Sequence, residues 1–250
     1  MFRLLLKFKN ILFDRFLKKE RQNLYQSLKH INKLGFEPNT IFDIGVAKGT
    51  IGLYKAFPKS FFVLIDPLEQ YESCMKKIIK KYKGIYKVCA VADKNETRKF
   101  NLHPNHMDGS SLLKEETGNK IDGYEIEVNT KRIDDIVVEE SLKGPFLIKI
   151  DVQGAELQVL KGAINTLKNT EIIALEVSLF KFMKDAPEFF EIVCFMKEYG
   201  FVTYDILKAI YRPLDNALGQ VDMVFVKENG RFRMDHRFAT SNQMANMGLI

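Results

Sequence analysis

Short apolar runs of four to six residues alternate along this chain with stretches whose apolar positions recur every three or four residues. Leu5, Phe8, Leu12 and Phe16, followed by Leu24 and Leu28, have the helical spacing. They predict an amphipathic helix over about 3–34 that stops at Gly35. After Pro38 the period changes. Thr40–Ile44 reads as a strand, and helical text follows to Phe57, closed by Pro58. Phe61–Ile65 is a second buried strand, and a Lys-rich helix follows over about 68–82. A third strand is expected over Tyr86–Ala92, and another over Arg98–Leu102 that pairs with the alternating run Glu125–Thr130. Phe146–Ile150 is a buried strand, Gly154–Leu167 a helix, Glu171–Val177 a strand, and Pro187–Tyr199 a helix closed by Gly200. Phe201–Leu207 and Val221–Lys227 read as an antiparallel pair. Residues 103–124 hold Asn105, Asp108, Gly109, Ser110, Ser111, Gly118, Asn119 and Gly123, and read as a loop or lid.

Strands that are buried along their whole length, separated by helices, predict an α/β domain with a mostly parallel sheet covered on both faces. No internal repeat and no low-complexity linker interrupts it. The expected organisation is an N-terminal basic amphipathic helix at 1–35, one domain at 36–227, and a tail at 228–250 that is mobile or an oligomer contact.

Charge changes the picture at one end. Of the net +6, residues 1–21 carry seven basic and two acidic side chains. Two readings of this helix stand side by side: contact with an anionic membrane surface, or packing on the domain with a solvated basic face. No apolar run approaches the length of a membrane span. The opening segment is broken by Lys7, Lys9, Asp14 and Arg15 and lacks a small-residue cleavage site, so the chain is expected to be cytoplasmic. Cys74, Cys89 and Cys194 form no CxxC pair and are expected to be buried thiols. The four histidines have no metal-ligand spacing, and no metal is expected.

Ligands of open α/β sheets bind at the carboxyl ends of the strands. In this chain those ends carry Asp43, Asp66, Asp93 and Asp151, with Glu176 inside a fifth strand. Gly45 and Gly49 allow a tight turn and close approach to a ligand. A dinucleotide fingerprint would need a middle glycine, yet Ala47 stands there, and a carboxylate at Asp43 would repel a pyrophosphate. It suits the ammonium and sulfonium of S-adenosylmethionine. Asp66, followed by Pro67, is placed for the ribose hydroxyls, and Ala92 and Asp93 for the adenine.

Phe42-Asp43-Ile44-Gly45 with Gly49, Leu147 to Glu156, and Val159-Leu160-Lys161-Gly162-Ala163 together resemble the FkbM-type family of class I methyltransferases. The resemblance extends through Ser110-Ser111-Leu112 and Thr130–Asp135 and covers roughly 38–227. It implies a Rossmann-like class I methyltransferase fold: a mostly parallel seven-stranded sheet with an antiparallel final strand. It also implies methyl transfer from S-adenosylmethionine to an oxygen, often a hydroxyl of a sugar or another small molecule. Two positions depart from the family text: its usual asparagine is Ala47 and its usual glutamate is Gln153.

A neutral alcohol needs a base in reach. Asp151, Glu176 and His106 are the candidates, and Ser110 and Ser111 are expected to line the pocket with them. Competing readings are a non-catalytic cofactor-binding scaffold and a nucleic-acid methyltransferase. The second is disfavoured because the positive charge is concentrated at one end, so no nucleic-acid partner is expected. A glycan or small-molecule acceptor is, and so is a homo-oligomer.

Overall fold

All five residues of β1 (Thr40–Ile44) are buried, and the strand lies at the centre of a computed structural model that describes residues 21–116 and 123–249. In chain order, α1 (Leu24–Lys33) precedes β1. Then come α2 (Ile51–Ala56), β2 (Phe61–Asp66), α3 (Glu72–Lys81), β3 (Gly84–Val88), β4 (Ala90–Val91), β5 (Glu96–Leu102), β6 (Tyr124–Lys131) and α4 (Ile133–Glu139). The chain continues with β7 (Phe146–Ile150), α5 (Glu156–Lys161), β8 (Thr170–Ser178), α6 (Phe189–Glu198), β9 (Phe201–Tyr211), β10 (Leu218–Lys227) and α7 (Ser241–Asn246). Seven strands form one sheet in the order β3-β2-β1-β7-β8-β10-β9. It is parallel from β3 to β8, and β10 runs antiparallel to both β8 and β9. This is the expected Rossmann-like methyltransferase arrangement.

Side chains of successive strand residues point to opposite faces. Phe42, Ile44, Val63, Ile65, Ile148 and Ile150 therefore pack on one face with Ile133, Val159 and Ile192. Ile41, Phe62, Leu64 and Leu147 pack on the other with Leu28, Leu53 and Met75. Each such side chain, fully buried, contributes roughly 1.5–3 kcal/mol. Strand order reverses between β1 and β7, which sets the ends of these two strands side by side at the point where open sheets bind ligands.

β4, β5 and β6 form a separate three-stranded sheet in the order β4-β6-β5. The expected pairing of the 98–102 and 125–130 runs is present, antiparallel, with Phe100 opposite Ile126. The expected strand over 86–92 is divided: 84–88 pairs with β2, whereas 90–91 pairs with β6. The stretch Val88–Ala92 is apolar throughout and contains no punctuation to mark that change of sheet. The second sheet encloses its own small core of Leu68, Tyr71, Ala90, Phe100, Leu102 and Val128.

The expected helix over 154–167 stops at Lys161. A side chain at Gly162 would come within 2.1 Å of the Ala92 carbonyl, so this turn presses directly on the chain leaving β4. Asp134 of α4 then captures the freed chain, accepting from the Thr166 N–H at 2.8 Å and the Asn165 N–H at 3.1 Å. α4 itself was not among the expected elements.

The expected helix over 3–34 begins, within the described residues, at Leu24. Asn23 is extended and its side chain accepts the Gln26 N–H, which caps the helix there. Residues 3–20 lie outside the described residues. α1 packs on the domain: Leu28 and Ile31 are buried, the Arg21 guanidinium grips Asp205 of β9 at 2.7 and 2.5 Å, and the Ser27 hydroxyl donates to the same carboxylate. The tail returns to this corner, with Phe232 5.9 Å from both Phe36 and Tyr204. Of the three thiols, Cys89 is buried, Cys74 is half-buried and Cys194 is exposed on α6, so the expectation of uniform burial fails for Cys194.

Candidate active site

Asp43 of β1 and Lys149 of β7 stand opposite each other in the parallel register. The Lys149 ammonium lies 3.3 Å from Asp43, 3.7 Å from Asp151, and donates to the Gly45 carbonyl at 3.0 Å. Burial alone would pull its pKa down. Asp43 and Asp151 outweigh that and hold it above the ordinary lysine value, so Lys149 stays charged. Asp43 is completely buried, and it also accepts from the Thr50 hydroxyl at 3.1 Å and from the Tyr54 hydroxyl. It lies beneath the floor of the site. The expected place at the cofactor's amino-acid end, directly or through water, is not a place on the cavity lining: Asp43 is held from below by Lys149, Thr50 and Tyr54.

Above this pair the chain turns. Gly45 has φ +72°, and a β-carbon there would lie 1.8 Å from the Asp151 carbonyl oxygen. Gly49 has φ +106°, and a β-carbon there would lie 2.7 Å from Ile78. Ala47, between them, has φ 45°, a conformation that L residues other than asparagine and aspartate seldom adopt. The Ala47 N–H donates to Asp66 Oδ2 at 2.9 Å and the Leu68 N–H to Asp66 Oδ1 at 3.0 Å. Each oxygen of the Asp66 carboxylate accepts one of these bonds and has capacity for another.

The turn, Asp66 and Pro67 border a cavity of about 490 Å³. Its apolar wall comes from Leu68, Cys89, Ala90, Val91, Phe100 and Leu112, and its rim from Tyr71 and Asp108, whose side chains are hydrogen-bonded. Ser110 and His106 border it as expected. Gly109 makes room for the His106 ring, since a β-carbon would lie 2.7 Å from it. Three expected cofactor residues lie elsewhere. Asp93 is ion-paired with Arg98 at 2.8 Å, Ala92 is buried under Gly162, and Ser111 ties loops together by donating to the Gln153 carbonyl at 2.8 Å. Cys89, Ala90 and Val91 occupy the place expected of Ala92 and Asp93, because the chain leaves the first sheet at Val88, four residues before the expected strand end.

Asp151 and Glu176 border the far end of the cavity, joined by Lys149, Gln153, Lys208 and Gln220. The Gln153 amide nitrogen donates to Asp151 at 2.7 Å and to Glu176 at 3.2 Å. Lys208 donates to Glu176 at 3.3 Å and lies 3.8 Å from Asp222. Burial and the neighbouring Asp151 charge raise the Glu176 pKa; Lys208 and Gln153 oppose them. Sequence reasoning missed Lys149, Lys208 and Gln220 as site residues, and singled out Gln153 only as a departure from the family text. A lysine inside the apolar run 146–150 was a readable signal, of the same kind as Glu176. Lys208 and Gln220 carry no motif, and only the β8–β10–β9 pairing delivers them.

A second cavity of about 660 Å³ adjoins the first and shares His106, Gln153 and Gln220 with it. Phe182 and Met183 border it on one side, and Tyr211 and Arg212 from the β9–β10 hairpin on another. Loop 103–116 and the loop after β8 are tied together there: the Lys184 N–H donates to the Lys114 carbonyl at 2.7 Å and the Glu116 N–H to the Phe182 carbonyl at 2.9 Å. Arg212 is held by Asp215 at 2.7 and 2.5 Å and lies 3.8 Å over the Phe180 ring. Among the described residues no group of three or more His, Cys, Asp and Glu side chains is arranged to hold a metal ion.

Glu156 opens α5 beside the site. Its carboxylate accepts the Gly154 N–H at 3.0 Å, yet burial raises its pKa to about 7.

A family described as Methyltransferase FkbM domain matches residues 13–203 of the chain. The 2-O-methyltransferase NoeI of Sinorhizobium fredii (strain NBRC 101917 / NGR234) is 33% identical over 102 residues, which cover 36% of this chain and 41% of that protein. The match therefore spans less than half of the curated relative's length. The magnesium protoporphyrin IX methyltransferase of Synechocystis PCC 6803, solved with bound SAM, aligns with a TM-score of 0.44 and 10% identity over 88% of this chain and 96% of that one. The 1,6-didemethyltoxoflavin-N1-methyltransferase of Burkholderia thailandensis aligns with a TM-score of 0.44 and 9% identity over 89% and 85%.

Two outcomes follow from the local geometry. Ala47→Asn relieves a left-handed alanine and raises the unfolding free energy in urea by roughly 0.5–1 kcal/mol; a loss of stability would contradict this account of the turn. For Glu156, the raised pKa means that the folded chain keeps a proton the unfolded chain has released. Its contribution is therefore complete below the ordinary glutamate range and lost as pH rises through about 7. Glu156→Gln removes that loss. Its stability relative to the parent increases between pH 5 and pH 7.5 by on the order of 2 kcal/mol; a pH-independent difference would refute the assignment.

Proposed function

The chain belongs to the FkbM methyltransferase family, and from that premise we propose that it transfers a methyl group from S-adenosylmethionine to a hydroxyl oxygen of a sugar, glycan or similar small acceptor. The observation that carries the reading is a cavity of about 490 Å³ that includes Asp66, Asp151 and Glu176 in its lining and adjoins a second cavity of about 660 Å³ at His106, Gln153 and Gln220.

The residues fit this cofactor. A carboxylate that is itself held by two backbone N–H groups, with a lone pair spare on each oxygen, suits two vicinal ribose hydroxyls. The apolar wall at Ala90, Val91 and Phe100 suits a purine. The cavity is bordered by Asp66, Asp108, Asp151 and Glu176 against Lys48, Lys149 and Lys208, and the last two are already paired with carboxylates. This balance favours a cationic aminoacyl nucleoside over a pyrophosphate. With Asp43 below the floor, Asp151 is the carboxylate left to meet the ammonium end. S-adenosylmethionine supplies the methyl group as an electrophile; the chain supplies position and a proton acceptor.

The second cavity supports a neutral, ring-bearing acceptor. Phe182 and Tyr211 offer flat apolar faces, and Gln153, Gln220 and Asn105 offer amide hydrogen bonds. Arg212 is committed to Asp215 and Phe180, so it does not serve as a free anion anchor. The relative named as a 2-O-methyltransferase supports oxygen as the methylated atom. A carboxylate of the first cavity beside this junction, Asp151 or Glu176, takes the acceptor's proton.

The basic residues within 1–21 support peripheral contact with an anionic membrane surface as part of this reading. None of the helices among the described residues is long and apolar enough to cross a membrane. Sedimentation with phosphatidylserine vesicles checks the contact: the full chain pellets at low salt, and a chain lacking 1–20 stays in the supernatant. Equal partitioning of the two would count against it.

Calorimetry with S-adenosylhomocysteine tests the cofactor assignment. The parent chain binds one equivalent, and Asp66→Ala weakens binding about a hundredfold or more, the worth of two hydrogen bonds to a charged acceptor. Absence of heat in the parent, or undiminished affinity in Asp66→Ala, would remove the basis of the reading.

A further inference from the structure

Gln153 sits where a glutamine is conformationally unfavoured. Its φ is 54°, and Gly154 follows at φ +97°, so the loop after β7 makes two consecutive left-handed steps. Ser111 fixes this arch from outside by donating to the Val152 and Gln153 carbonyls at 3.3 and 2.8 Å. The result is to aim the Gln153 side chain back over the sheet. There its Nε2, which carries two hydrogens, lies 2.7 Å from Asp151 Oδ1 and 3.2 Å from Glu176 Oε2.

A second distortion arrives from the opposite edge. Lys208 has φ 48°, at a point where the β9–β10 register shifts between Gln220 and Asp222. Such bulges re-aim side chains. Here the bulge sends the ammonium to Glu176 Oε1 at 3.3 Å. Gln220 adds a long contact to Glu176 Oε2 at 3.4 Å. Glu176 therefore has one donor on Oε1 and two on Oε2, and one Oε1 lone pair remains available to the cavity.

We propose that Gln153 is a positioning residue of the transfer site, whose amide spans Asp151 and Glu176 and keeps both as carboxylates, so that Glu176 is the group that takes the acceptor's proton. The proton's destination rests on the methyltransferase reading above; the charge arrangement rests on the geometry alone. In the step itself the acceptor O–H bond breaks and its proton passes to Glu176, which becomes a neutral carboxylic acid; an electron pair of that oxygen would form the O–C bond to the methyl group that S-adenosylmethionine supplies, while the C–S bond breaks with its pair going to the sulfur, which leaves as a neutral thioether. Burial raises the proton affinity of Glu176, and the Asp151 charge adds to it. Both effects suit Glu176 to accept a proton. The amide is what allows them to stand together ionised, because it gives each oxygen a donor without adding a charge of its own.

The groups facing Glu176 come from several elements. Lys149 and Asp151 belong to β7 and its end, Lys208 to β9, and Asp222, whose pKa burial raises to about 6, to β10. Asp43 lies below, His106 borders the cavity on the loop side, and Tyr25 of α1 borders a smaller cavity of about 400 Å³ that also reaches Glu176. Among the described residues, Gln153 is the one whose single neutral donor touches both carboxylates.

The test is a pH titration of the full chain by ¹³C-carboxyl magnetic resonance, with the Glu176 signal assigned through Glu176→Gln. Gln153→Glu replaces the shared donor by a third carboxylate, and the Glu176 midpoint rises by about one pH unit or more as the three groups retain a common proton. Gln153→Met keeps the volume, adds no charge and moves the midpoint in the same direction by less; it decides the matter if Gln153→Glu does not fold. A midpoint that stays at the parent value in the folded variants, even with a lowered melting temperature, would show a merely structural glutamine and overturn the proposal. The titration needs neither acceptor nor cofactor, so its failure is separable from a failure of the parent chain to bind S-adenosylhomocysteine.

Discussion

The arrangement depends on one buried ion pair. Asp43 and Lys149 face each other across the two central strands, and each would be intolerable without the other: stripping one partner from such a pair costs about 3–5 kcal/mol. The pair does more than cancel charge. Lys149 also donates to the Gly45 carbonyl, and Asp43 accepts from Thr50 and Tyr54, so both ends of the glycine turn are tied to the same point. The turn must also clear the Asp151 backbone, which only a glycine at position 45 permits. Charge pairing, backbone conformation and strand order thus converge on one corner of the sheet.

The chemistry follows from what this corner leaves over. Asp43 is consumed by the floor, so the carboxylates that reach the cavity are Asp66, Asp108, Asp151 and Glu176. Asp66 is braced by the turn, whereas Asp151 and Glu176 are braced by each other's neighbours, Gln153 and Lys208. Three left-handed residues other than glycine border the cavity, at Ala47, Gln153 and Lys208. Local strain of this kind persists where surrounding contacts over-determine it, and it clusters at functional sites. The small second sheet supplies the apolar wall, and the loop ribbon with the β9–β10 hairpin supplies the neighbouring cavity.

Much of this was legible in the sequence, for a definite reason. Buried strands are short apolar runs, and the residues at their carboxyl ends are one position away, so the run ending in Asp66 and the run ending in Asp151 led directly to the cavity. The same rule misplaced Asp93, because an apolar run does not record the residue at which a chain leaves one sheet for another. It did not distinguish Asp43, buried below the cavity, from Asp66 on its lining, because a strand-end carboxylate and a buried carboxylate read alike until the lysine opposite is known. Ala47 read as a departure from the family's asparagine, and its φ shows that the position constrains the backbone. Lys208 and Gln220 were illegible, since register between distant strands brings them in, and the bulge that turns Lys208 inward leaves no mark in composition.

The central claim is that the Asp43–Lys149 floor shapes a nucleoside site in which Asp66 holds the ribose and Asp151 and Glu176 stand at the acceptor side. A crystal structure with S-adenosylhomocysteine bound measures this most directly. The account predicts both ribose hydroxyls on Asp66, the purine against Ala90, Val91 and Phe100, and the thioether sulfur facing the junction at Gln153. A nucleoside bound elsewhere, or one contacting Asp43 in place of Asp66, would contradict it.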